Sequence, residues 1–83
     1  MVQYWILCRS LTHAQRAAGL LERKGFTATL TRAPLGLSPR GCSYAVIIRK
    51  RLTEALSVLD QNRIPYGQIF EKQRDGAFQE VHG

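Results

Sequence analysis

The chain has 83 residues, 45% of them hydrophobic, and its twelve basic against six acidic side chains give a net charge of +6. Such a length fits one small domain with a marginal core, for which a homo-oligomer is a fair expectation, and the composition excludes wholesale disorder. The longest apolar runs, Tyr4 to Cys8 and Tyr44 to Ile48, fall far short of the ~18 residues of a membrane span.

Tyr4, Ile6 and Cys8 alternate with Trp5, Leu7 and Arg9, the period of a first strand. Thr12 with Gln15 matches a capping box, so a helix is expected to begin there. Ala14, Ala17, Ala18 and Leu21 form its apolar stripe, and Gly25 ends it. Phe26 to Thr31 reads as a second strand, after which Pro34, Gly36 and Pro39 break regular structure. Tyr44 to Arg49 is a third strand. Leu52, Ala55, Leu56 and Leu59 repeat the helical stripe up to Asn62 and Pro65, and Tyr66 to Lys72 supplies a fourth strand. Asp75-Gly76 is a hairpin signal, so Ala77 to Val81 either folds back as a short strand or frays.

The order βαββαβ predicts an α+β, ferredoxin-like sandwich: a four-stranded antiparallel sheet with two helices on one face. Residues 1–72 form this single domain, and residues 73–83 a hairpin extension or tail. In the usual strand order, 4-1-3-2, the end of strand one, the start of the first helix and the loop before strand three share one edge. Cys42 is then expected beside Cys8, Ser10, Thr12 and His13.

Charge and cysteine usage narrow the chemistry. A basic chain favours anionic partners. Arg49-Lys50-Arg51 is the dense cluster, yet three residues are too few for a nucleic-acid motif, and a solvated turn between a strand and a helix, the favoured reading, uses the same residues. No signal-peptide pattern opens the chain, and a cytoplasmic location is expected. In a reducing compartment Cys8 and Cys42 are read as thiols, redox-active groups or metal ligands rather than a structural disulfide. Cys8, His13 and Cys42 could offer three zinc ligands, but no close C-x-x-C or H-x-x-H pair accompanies them, so no metal site is expected.

Leu37 to Ser43 reads Leu-Ser-Pro-Arg-Gly-Cys-Ser, a loop with one cysteine at its exit. The thiolate is the reactive form of such a sulfur, and Arg40 and the Gly41 amide are the neighbours that would favour it. The Ser10, Thr12, Gly41 and Ser43 groups, with the helix N-terminal amides, are candidates to hold an anion there. His13 is the candidate acid or base. Plain readings stand beside these: Cys42 and Cys8 as small buried hydrophobes, with Cys8 alternatively a redox partner, and His13 as a solvated side chain.

From Tyr4 to about Glu71 the chain resembles the bacterial and archaeal selenium/sulfur carrier-like family. The resemblance is carried by the aromatic first strand, the Ser10-Leu11-Thr12-His13-Ala14 stretch, the helix ending Leu21-x-x-x-Gly25, the proline loop, and Cys42 opening an apolar strand. It implies that Cys42 carries sulfur or selenium as a persulfide or perselenide between donor and acceptor proteins, with no other cofactor. Where the family often has Gly after its cysteine and Arg after its loop proline, this chain has Ser43 and Leu35. Paired carboxylates, a nucleophile elbow, a P-loop and a dinucleotide fingerprint are all missing from the sequence, which argues for a carrier rather than a complete enzyme.

Two other classes compete. RNA-recognition domains share the element order and stack bases on aromatics of strands one and three. Arg40-Gly41 followed by Tyr44 partly matches that pattern, with Tyr4 or Trp5 on strand one, although Cys42 takes one of its aromatic places. The third reading is a small regulatory or oligomerisation domain in which Cys42 only packs.

Overall fold

A computed structural model describes residues 2–34, 36–37 and 41–81. Their elements in chain order are β1 (Gln3–Cys8), α1 (Leu11–Arg23), β2 (Thr29–Arg32), β3 (Tyr44–Ile48), α2 (Leu52–Gln61), β4 (Ile69–Lys72) and β5 (Phe78–Val81). The strands form one antiparallel sheet in the order β2-β3-β1-β4-β5. Strands β1 to β4 keep the expected ferredoxin-like order, but the sheet has five strands rather than four, with β5 added beside β4.

The fifth strand exists because the turn before it is closed. Gly76, at φ +89°, donates its N–H to the Gln73 carbonyl at 3.0 Å, and Gln73 donates to the Ala77 carbonyl at 2.8 Å. Asp75 Oδ1 accepts the Ala77 N–H at 3.0 Å. This is a three-residue hairpin loop with glycine in the left-handed position. It sets Ile69 opposite Val81 and Lys72 opposite Phe78.

Strand alternation sorts the side chains onto two faces. Ile6, Cys8, Val46, Ile48 and Ile69 pack against the helices, with Ala14, Ala17, Leu21, Ala55 and Leu59 fully or almost fully buried above them. On the helix-free face Trp5, Leu7, Ala45 and Phe70 form a second buried cluster that includes Cys42. Ala33 and Leu37 from the β2–β3 connection and Phe78 from β5 pack against it.

The start of α1 differs from expectation. The N-cap is Ser10, whose Oγ accepts the His13 N–H at 3.1 Å, and the helix opens at Leu11 with Thr12 exposed. Ser10 holds the extended backbone of a cap, φ −126° and ψ 155°, so the cap is satisfied two residues before the Thr12–Gln15 pair. No helix among the described residues is long and apolar enough to cross a membrane.

Candidate functional site

The connection between β2 and β3 is pinned at its ends, since Ala33 donates its N–H to the Ser43 carbonyl at 2.9 Å and extends the ladder past the Arg32–Tyr44 pair. Cys42 therefore stands at the last step before the sheet. Gly41, at φ +82°, makes the turn into it, a conformation that costs a residue with a Cβ more. Ser43 is exposed, its Oγ directed to the Gly41 carbonyl at 3.5 Å. Arg40 lies outside the described residues.

Cys42 is 9% exposed. It packs with Trp5, Leu7, Ala45 and Phe70, and it also lines an open cleft of about 810 Å³. Arg9 from the end of β1 and His13 from the first turn of α1 share the lining, as do Gly67 and Gln68 from the α2–β4 connection and Glu80 of β5. The connection is held to the end of β1 by two backbone bonds: Gly67 N–H to the Leu7 carbonyl at 2.7 Å, and Leu7 N–H to the Gln68 carbonyl at 2.9 Å. Gln68 Oε1 is buried with no hydrogen-bond partner among the described residues. The cleft thus offers one thiol residue, a guanidinium, an imidazole, a polar amide and a carboxylate around a space of small-molecule size.

Of the residues singled out in the sequence, Cys42 and His13 meet on this cleft, while Ser10, Thr12, Gly41 and Ser43 are not among its lining residues. The helix amides are also less available than expected, because the His13 N–H is taken by Ser10 Oγ. Cys8 is fully buried on the helix side, with its Sγ 3.9 Å from the Ile6 carbonyl, and no disulfide joins it to Cys42. Burial, and secondarily the charge of Cys42, push the Cys8 thiol up to about 11. No group of three or more potential metal-ligating side chains occurs among the described residues.

Sequence reading missed Arg9, Gly67, Gln68 and Glu80. Tyr66 and Gly67 were expected inside strand four, which instead begins at Ile69. The β1–β4 register, Ile6 opposite Ile69, is the signal that brings residues 67 and 68 beside the end of β1, and it is a long-range property.

Of the rings named in the RNA reading, Trp5 of β1 lies on the helix-free face and Tyr44 of β3 does not. Tyr4 and Tyr44 pack against the helix-side cluster, so on the open face β3 carries Ala45 and Ile47 in place of a ring. The reason is parity: Tyr44 alternates with Ala45, and Ala45 stands opposite Leu7 as Ile47 stands opposite Trp5.

Residues 3–71 match the model of the family described as Putative Se/S carrier protein-like. No match was found among curated proteins or solved structures.

Proposed function

The chain belongs to the Se/S carrier protein-like family, and from that premise we propose that it carries sulfur or selenium on the Cys42 side chain and hands it from a donor protein to an acceptor. The observation that carries this reading is the shared cleft, in which the Cys42 sulfur is accompanied by Arg9 and His13. After loading, the Arg9 guanidinium is a cationic group lining the same cleft for the anionic persulfide to meet.

The chemistry is an exchange. The Cys42 thiolate attacks the outer sulfur of a donor persulfide, R–S–SH; a bond forms between the two sulfurs as the donor's S–S bond breaks, and R–S⁻ departs with the bonding pair. The product is Cys42–S–SH, and its ionised form is the species the cleft would hold. An acceptor thiolate reverses the sequence at the outer sulfur. A perselenide donor would leave selenium there by the same step, without net oxidation. His13 is placed in this reading as the group that exchanges the proton of the outgoing or incoming thiol.

Intact-protein mass spectrometry after incubation with a small persulfide donor tests the proposal. The wild type is expected to gain the mass of one sulfur atom, Cys8→Ser to gain it equally, and Cys42→Ser to remain unmodified. An adduct that survives Cys42→Ser would overturn the assignment.

A further inference from the structure

Gly67 is glycine for a reason that its backbone does not supply. Gly25, Gly36, Gly41 and Gly76 all have positive φ, and a Cβ built on any of them meets nothing within 4 Å. Gly67 is the reverse: its φ lies outside the left-handed region, yet a Cβ there would stand 2.8 Å from Cys42 Sγ and 3.6 Å from the Leu7 carbonyl oxygen. Its backbone has little freedom to retreat, because the Gly67 N–H is bonded to that carbonyl at 2.7 Å.

We infer that Gly67 is a positioning residue for Cys42, leaving the volume of a missing side chain so that the sulfur, packed from behind by Trp5, Leu7, Ala45 and Phe70, keeps its place against the cleft wall. Both residues line the cleft, and Gly67 is exposed while Cys42 is nearly buried. A methyl at position 67, 2.8 Å from the sulfur, therefore displaces it from this place. The thiol can yield by rotating about its single side-chain torsion, so the change falls on where the sulfur sits more than on whether the chain folds. The functional meaning of this placement rests on the carrier reading; the placement itself does not.

The experiment compares Gly67→Ala with the parent, both in a Cys8→Ser background so that a single thiol reacts. Alkylation of Cys42 by iodoacetamide is followed by intact mass, and the Cys42 side-chain torsion is read from three-bond NMR couplings. Gly67→Ala is expected to change the rotamer and to slow alkylation about tenfold or more, the scale on which small displacements of a reacting atom act. An unchanged rotamer, or alkylation as fast as in the parent or faster, would overturn the inference. If Gly67→Ala does not fold, Gly67→Ala with Cys42→Ala decides the matter: recovery of folding supports the contact with the sulfur, and continued failure refutes it. A wild type that never takes up sulfur, together with slowed alkylation in Gly67→Ala, removes the carrier reading and leaves the positioning role standing.

Discussion

The two cysteines differ by which side of the sheet receives them. Cys8 follows Ile6 and Tyr4 on the helix side and is fully buried there, whereas Cys42 joins the opposite cluster and reaches the cleft. Burial favours the neutral thiol, which is why the Cys8 value moves from 9.0 to about 11. Below 9.0 both the folded and the unfolded chain keep this proton, and stability does not depend on it. Between 9.0 and about 11 the unfolded chain gives the proton up first, so the folded state binds more protons and stability falls as pH rises. The full loss for a shift of this size is ~2–3 kcal/mol. Urea denaturation at a series of alkaline pH values should show this extra slope in the wild type and not in Cys8→Ala. Cys42→Ala should retain most of it, because desolvation is the larger cause and the charge of Cys42 the smaller. Equal slopes in wild type and Cys8→Ala would refute the assignment.

At the scale of elements, both helices end the same way with different residues. After α1, the Gly25 N–H reaches the Glu22 carbonyl at 3.1 Å and the Phe26 N–H the Leu21 carbonyl at 2.9 Å; after α2, Arg63 reaches Asp60 at 3.1 Å and Ile64 reaches Leu59 at 3.0 Å. Each is a Schellman closure, which places its central residue in the left-handed region. Gly25 adopts φ +91° without penalty, but Arg63 adopts +56° with a Cβ in place. Arg63→Gly is therefore expected to stabilise the protein by ~0.5–1 kcal/mol, read as a higher urea midpoint at unchanged slope; a lower midpoint would count against this account. The stripes of both helices, the alternation of β1, the stop at Gly25 and the Asp75-Gly76 turn were legible because each is written in neighbouring residues. The N-cap was ambiguous because Ser10 and Thr12 are both capable caps, and only the path of the chain out of β1 selects Ser10. Strands two and four start later than their β-branched or aromatic residues indicate: the regular β2–β3 register begins at Thr29, and the β1–β4 register begins at Ile69 because Gly67 and Gln68 both bond to Leu7, two residues against one. Arg51 is similar in kind. It sits at φ +61° before α2, its guanidinium 4.2 Å from the Phe26 ring centroid and paired with Glu54, a conformation that nothing in a basic triplet announces. The Cys42 loop was visible as a loop with a cysteine, but its cleft was not, since Gly67, Gln68 and Glu80 arrive from distant parts of the chain.

For the whole molecule, the sheet has apolar residues on both faces and helices on only one. Two pieces of chain close the other face: the β2–β3 connection, whose Ala33 and Leu37 pack against the cluster containing Leu7 and Cys42, and β5, whose Phe78 meets Trp5 edge-on. The Trp5 and Phe78 centroids are 5.1 Å apart at 87°, Phe70 and Phe78 are 6.4 Å apart at 89°, and Lys72 Nζ stands 5.5 Å from the Trp5 centroid. Edge-to-face pairs of this kind add to the area they bury. The strand that carries Phe78 also brings Glu80 and Val81 to the cleft, so the same hairpin covers the open face and completes the site's surroundings. Phe78→Ala should then cost about 2 kcal/mol, below the 3–5 of a fully buried phenylalanine because Phe78 is half-buried. Trp5 is the one tryptophan in the chain, so its emission reports this face alone. A red shift in the folded Phe78→Ala protein, together with a lower urea midpoint, is the expected result. Emission and midpoint both as in the wild type would mean that β5 is an edge ornament and that the helix-free face is closed by the β2–β3 connection without it.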